Sequence, residues 1–368
     1  MKRSILIAFQ VFLAVFPVVS QDVAGLKDAF KEKFYIGAAL NRGQYLGFSQ
    51  ESDRVTRQHF NSIVAENCMK SERLQPREGE FFFDDSDKFV EYGQKNNMHI
   101  VGHTLIWHSQ VPRWFFVDTN GADVSKEVLI ERMRNHIHTV VGRYKGKVHG
   151  WDVVNEAILD NGDWRKSKFY TIIGEEFVEL AFRFAREADP DAELYYNDYN
   201  MAISGKRRGV VAMIKNLQSK GIKVDGVGMQ GHLDLQSPSL AEFEASILAY
   251  SALKVNVMIT ELDLSVLPTP WNNHGANVAD VVEYQEKMNP YKNGLPDDKY
   301  LEWESRFMEF FSLFDKHSDK ISRVTLWGIS DAQSWKNGFP IRGRTDYALL
   351  FDRNYNPKPI IARLINRK

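Results

Sequence analysis

The chain has 368 residues, 43% of them hydrophobic and 12% aromatic, enough for a buried core in one large α/β barrel or two ordinary domains. Lys and Arg number 47 against 48 Asp and Glu, a net charge of −1 that excludes the electrostatic footprint of a nucleic-acid or anionic-membrane binder. The single cysteine, Cys68, excludes an intrachain disulfide and is expected to be a buried structural thiol.

The N-terminus predicts a targeting segment. Lys2 and Arg3 precede an apolar run from Ile5 to Val19 broken only by Gln10, with Pro17 near its end and small residues at Val18 and Ser20. This is the order of a secretory signal, with cleavage near Ser20-Gln21. The run is about 15 residues, short of the roughly 20 needed to span a bilayer. Residues 1–20 are therefore expected to be a signal peptide and residues 21–368 a single domain, secreted or periplasmic, without a membrane span or a lipid anchor.

The mature chain alternates strand-like and helix-like stretches. Strands are predicted over Phe34 to Ala39, Ser62 to Glu66, His99 to Leu105, Val148 to Asn155, Ala192 to Asn197, Gly226 to His232, Val255 to Glu261 and Ser322 to Trp327. Between them Leu129, Met133, Ile137, Val140 and Val141 share one helical face. Phe177, Ala181, Phe184 and Ala188 repeat the spacing, as do Trp303, Phe307, Phe310 and Phe314; helix stops stand at Asp189-Pro190 and Gly221. The alternation predicts a (β/α)8 TIM barrel, with a doubly wound open sheet as the second choice.

Function in a barrel sits at the C-terminal strand ends, and the residues there are polar. They are Glu66 and Asn67; His103, Trp107, His108 and Gln110; Asn155 and Glu156; Asn197, Asp198 and Tyr199; Gln230 and His232; Glu261 and Asp263; Trp327, Asp331 and Trp335. Any one of them alone reads as a satisfied core polar group; their clustering points to a site. Trp151 to Ala157 (WDVVNEA) and Val255 to Asp263 (VNVMITELD) are two buried runs that each end in a glutamate. Carboxylates on opposed strands beneath aromatic walls suit cleavage of a glycosidic bond, one protonating the leaving oxygen and one meeting the oxocarbenium-like carbon. His103, His108 and His232 also admit a zinc reading, but no H-E-x-x-H, G-x-S-x-G or phosphate-binding glycine loop accompanies them. His136 and His138 alternate within a helical pattern, point apart, and are expected at the surface.

Eight motifs in order closely resemble glycoside hydrolase family 10, the retaining endo-β-1,4-xylanases. They are FYIGAAL at 34–40, AENCMK at 65–70, GHTLIWHSQ at 102–110, WDVVNEA at 151–157, YNDYN at 196–200, VGMQGH at 227–232, ITELD at 259–263 and LWGISDAQSW at 326–335. The resemblance implies a xylan- and xylo-oligosaccharide-cleaving monomer that needs no cofactor or metal. It implies Glu156 as acid/base and Glu261 as nucleophile, with Asn155 on the sugar 2-hydroxyl, His232 holding Glu261 and Asp263 orienting His232. Glu66, Asn67, Lys70, His103, Trp107 and Gln110 would bind the glycone side, Tyr199 and Gln230 would lie near the cleavage point, and Trp327 with Trp335 would roof the central sugar.

Ser71 departs from the family, which commonly has tryptophan after the Met-Lys pair, and leaves a stacking contact in question. The stretch from Leu267 to Asp298 is long and rich in Pro, Asn and Gly; its Trp271 either packs the loop on the barrel or stacks on a distal sugar. Two other readings stand beside the xylanase: a carbohydrate-binding protein on a degenerate barrel, which predicts loss of a glutamate or its supports, and another β-1,4-glycanase such as a cellulase.

Overall fold

A computed structural model describes residues 24–269 and 286–367. Among the described residues nine parallel strands form in chain order: β1 Tyr35–Leu40, β2 Ser62–Ala65, β3 His99–Trp107, β4 Gly150–Asn155, β5 Glu193–Asp198, β6 Gly226–Met229, β7 His232–Asp234, β8 Asn256–Ser265 and β9 Ile321–Leu326. Eight of them pair in a ring, because β6 pairs with β8 as well as with β5, and β9 joins β8 to β1. The exception is β7, which pairs only with the C-terminal end of β8, His232 against Asp263. The chain is a closed (β/α)8 barrel, not an open sheet. Every predicted strand is present, with most ends displaced by a residue or two, the seventh running four residues past Glu261 to Ser265, and the sixth split at Gln230-Gly231 into β6 and β7.

The helices form where the apolar periodicity places them. Helix Lys126–Arg143 begins at Ser125, whose hydroxyl accepts from Val128 N, and buries Leu129, Met133, Ile137, Val140 and Val141 on the strand wall. Helix Glu176–Ala188 buries Phe177, Ala181 and Phe184. Helix Asp297–Lys316 buries Trp303, Phe307, Phe310 and Phe314, each contributing roughly 2 kcal/mol of apolar burial. Ala39, Val64, Val101, Tyr195 and Met258 come from β1, β2, β3, β5 and β8 and make a second apolar cluster with Trp327. Strands on opposite sides of a barrel touch only across its interior, so this cluster is the plug on which the site stands.

Two glycines permit the close packing. A Cβ at Gly102 would lie 2.1 Å from the buried indole of Trp151, and one at Gly228 would lie 2.3 Å from Asn197 Oδ1.

Cys68 is buried as expected, its thiol pushed up to about 12 by burial. His136 is not at the surface. It is fully buried, 2.8 Å from Gln75 Oε1 and 3.3 Å from Ser71 Oγ, and burial lowers it to about 3. A residue on the apolar face of a helix can be polar when another segment brings it partners, and Ser71 and Gln75 do so here. His138 is half-buried, on the outer side of the helix, and lies 3.1 Å from Glu187. Trp271, with its proposed sugar contact, lies outside the described residues. Among the described residues no helix is long and apolar enough to cross a membrane.

Candidate active site

The C-terminal ends of the strands open into a cleft of about 780 Å³. Both Glu156 and Glu261 line it. So do Glu66, Asn67, Lys70, Trp107 and Gln110 on one side, and Tyr199, Gln230, His232, Trp327 and Trp335 elsewhere on its wall. His103, Asn155 and Asp263 sit one layer down. The sequence-derived set is thus one constellation, with His103, Asn155 and Asp263 buried just behind the lining residues.

Glu156 follows the last residue of β4 and has φ 61°, in the left-handed region that costs a bulky residue on the order of 1–3 kcal/mol. Its amide is held by Asn197 O at 2.9 Å and its carbonyl by Arg165 Nε at 2.8 Å, so the turn is fixed from both sides. The carboxylate receives Trp107 Nε1 at 2.8 Å and Gln230 Nε2 at 2.9 Å. Burial, then the negative charge of Asp198, push Glu156 up to about 7, further than those two donors pull it down. At neutral pH this group is poised to give or take a proton.

Glu261 has the opposite surroundings. Burial again opposes its charge, but His232 Nε2 at 3.1 Å, the nearby His103 and Asn197 Nδ2 at 2.8 Å together hold it below the ordinary carboxylate range. His232 is in turn 3.0 Å from Asp263 Oδ2; against burial, that charge and Glu261 raise it to about 9, so it is an imidazolium. Asp263 also accepts from Trp335 Nε1 at 2.7 Å, which ties a cleft-wall ring to the same pair.

Asp263→Asn is accordingly expected to lower turnover by roughly two orders of magnitude or more with the fold intact, because the imidazolium loses its counterion and Glu261 its orienting donor. Steady-state rates beside a thermal melt test this; unchanged turnover would make the pair purely structural.

The remaining residues complete the cleft wall and its floor. Lys70 Nζ donates to Asn67 Oδ1 at 3.0 Å and Gln110 Oε1 at 2.8 Å, and lies 5.1 Å from the Trp107 ring centre. Burial lowers Lys70 and raises Glu66. Buried His103 is 2.8 Å from Asp152 Oδ2 and packs edge-on against Trp327, so it braces the floor. Asn155 lies 3.0 Å from the Asn197 amide, beneath the two carboxylates. Tyr199 OH accepts from Arg165 Nη2 at 2.7 Å. Ser71 is buried, its hydroxyl donating to Leu105 O at 3.2 Å, and does not line the cleft.

The roles of Asn197 and Arg165 do not follow from the sequence. Asn197 was visible as a polar strand end, but its bridge from Thr260 Oγ1 (2.6 Å) to Glu261 depends on neighbouring strands and on Gly228 leaving room. Arg165 carries no signal in a loop of mixed composition. Among the described residues no group of three or more His, Cys, Asp or Glu side chains is arranged to hold a metal ion.

Residues 25–367 match the model of glycosyl hydrolase family 10. The chain is 46% identical to endo-1,4-beta-xylanase A of Xylanibacter ruminicola over 94% of each chain, and 41% identical to an endo-1,4-beta-xylanase of Geobacillus stearothermophilus over 94% of this chain and 99% of that one. Among solved structures, a GH10 endoxylanase retrieved from a sugarcane soil metagenome superposes with a TM-score of 0.89 at 46% identity, covering 94% of this chain and all of the other. A xylanase from Paenibacillus barcinonensis, solved with a conduramine derivative, gives 0.85 at 35% identity over 95% and 100%. Barrel, cleft and likeness along the whole described chain agree, and the chain belongs to glycosyl hydrolase family 10.

Proposed function

We propose that the chain is a retaining endo-β-1,4-xylanase, with Glu156 as acid/base and Glu261 as nucleophile. The observation that carries the reading is the opposite displacement of two carboxylates in one cleft: Glu156 is pushed up to about 7, and Glu261 is held low by the His232 imidazolium. In the first step Glu156 gives its proton to the glycosidic oxygen as the C1–O bond breaks, and Glu261 forms an ester to C1. In the second, the Glu156 carboxylate takes a proton from water, the water oxygen bonds to C1, and the ester breaks. Asn155 meets the 2-hydroxyl. Glu66, Asn67, Lys70 and Gln110 hold the glycone sugars, with His103 bracing and Trp107 also holding the acid, while Trp327 and Trp335 cover the central sugar closely enough to favour a pentose over a hexose with its C6 hydroxymethyl.

The substrate class is tested by initial rates on xylan and on soluble cellulose. A ratio on the order of 10²-fold in favour of xylan is expected, within the range that one small substituent yields in a fitted pocket. Equal rates would point to a broader β-1,4-glycanase. The basic-then-apolar N-terminus supports export with cleavage near Ser20, giving a monomer that acts outside the cytoplasm on polymer too large to be taken up.

A further inference from the structure

A lysine with no exposed surface stands beneath the cleft. Lys206, on helix Ser204–Ser219, is 0% exposed, and its Nζ lies 2.9 Å from Asp198 Oδ1 and 3.2 Å from Asp160 Oδ1. Asp198 is equally buried, and its other oxygen accepts the hydroxyl proton of buried Tyr196. A phenol has one proton; with that proton committed to Asp198, its lone pairs face the other way. They receive Ala157 N at 3.0 Å and Ile158 N at 3.2 Å, the two amides directly after Glu156. Asp198 Oδ2 also lies 3.4 Å from Ile158 N.

We propose that Lys206, Asp198 and Tyr196 form a buried hydrogen-bond relay that locks the backbone after Glu156, and so aims the acid/base carboxylate at the glycosidic oxygen. They are positioning residues, and the proposal rests on the reading of Glu156 as acid/base. The geometry explains why a left-handed turn at Glu156 persists beyond the two contacts on its own peptide groups: the next two amides are pinned to a hydroxyl whose orientation a carboxylate fixes and a buried ammonium charges. The same carboxylate is the main charge raising Glu156. Glu156 is faced by Asp198 and Tyr199 from the end of β5, by Glu261 from β8, by Lys70 and His108 from the loops after β2 and β3, and by Arg165 from its own loop. His108, lowered to about 3 by burial, is neutral.

The test uses the full chain and aryl β-xylobiosides whose leaving groups span a range of acidity, compared as kcat/KM, which reports glycosylation alone. Tyr196→Phe is expected to lose on the order of 10- to 100-fold on the poorest leaving groups and on xylan, but less than about threefold on a dinitrophenyl glycoside that needs no acid. A merely structural role would not tilt that dependence. Asp198→Asn, with a negative charge gone, is expected to tilt it in the same way and to move the alkaline limb of the profile down by about one pH unit. If Tyr196→Phe does not fold, Asp198→Asn decides by the same criterion. Equal losses across leaving groups, or no loss, would overturn the relay. Glu156→Gln serves as reference: if it too shows no tilt, the acid/base reading itself fails, whereas a tilt there and none in the relay variants removes only the relay.

Discussion

Glu261→Ala is expected to lower turnover on xylan by on the order of 10⁴-fold or more, with a lower melting temperature at neutral pH. The direction of the stability effect follows from the site: Glu261 is held below the ordinary carboxylate range, so its charge is net stabilising at neutral pH, and its removal takes the acceptor from His232 Nε2 and Asn197 Nδ2. The space left behind lies on the face from which C1 is attacked. Azide with an activated aryl xylobioside should therefore restore turnover and yield the α-glycosyl azide. A variant that keeps a tenth of its activity would remove Glu261 from the reaction.

Glu156→Ala is expected to cost on the order of 10²- to 10⁴-fold in kcat/KM on xylan, and almost nothing on a dinitrophenyl xylobioside, because a leaving group that departs as a stable anion needs no proton. Azide should here attack the glycosyl ester and give the β-glycosyl azide, opposite in configuration to the product of the Glu261 variant. The pH profile carries the same assignment. The acid must be protonated to act, and burial with Asp198 holds it up at about 7, so kcat/KM of the wild type on xylan should fall as pH rises through about 7. That limb should vanish in Glu156→Ala. Equal losses on both substrates would show that the residue only shapes the cleft.

The barrel was legible in the sequence because each strand is a short apolar, often β-branched run, and the catalytic end of each run is marked by residues that an ordinary core would not place there. Glu156 and Glu261 stood out for that reason. Strand ends were less exact: whether Leu40 or Trp107 extends its strand is decided by the neighbour's register, not by the residue. What stayed hidden depends on contacts between distant segments. His136 looked solvated until Ser71 and Gln75 met it. Lys206 stands beside Arg207 and Arg208 in a basic run, and only the fold turns the first of the three inward to Asp198. The imidazolium of His232 is likewise a property of three residues together, since it stands between Asp263 and Glu261, 31 and 29 positions away in the chain.

The mechanism turns on a covalent bond between Glu261 and the sugar. Incubation with an activated 2-deoxy-2-fluoro-β-xylobioside, followed by proteolysis and mass spectrometry, tests it directly. One peptide should gain the fluorinated disaccharide, the one containing Glu261, with the first product from unmodified substrate in the β configuration. A label on Glu156 or elsewhere, or a first product of α configuration, would contradict the account.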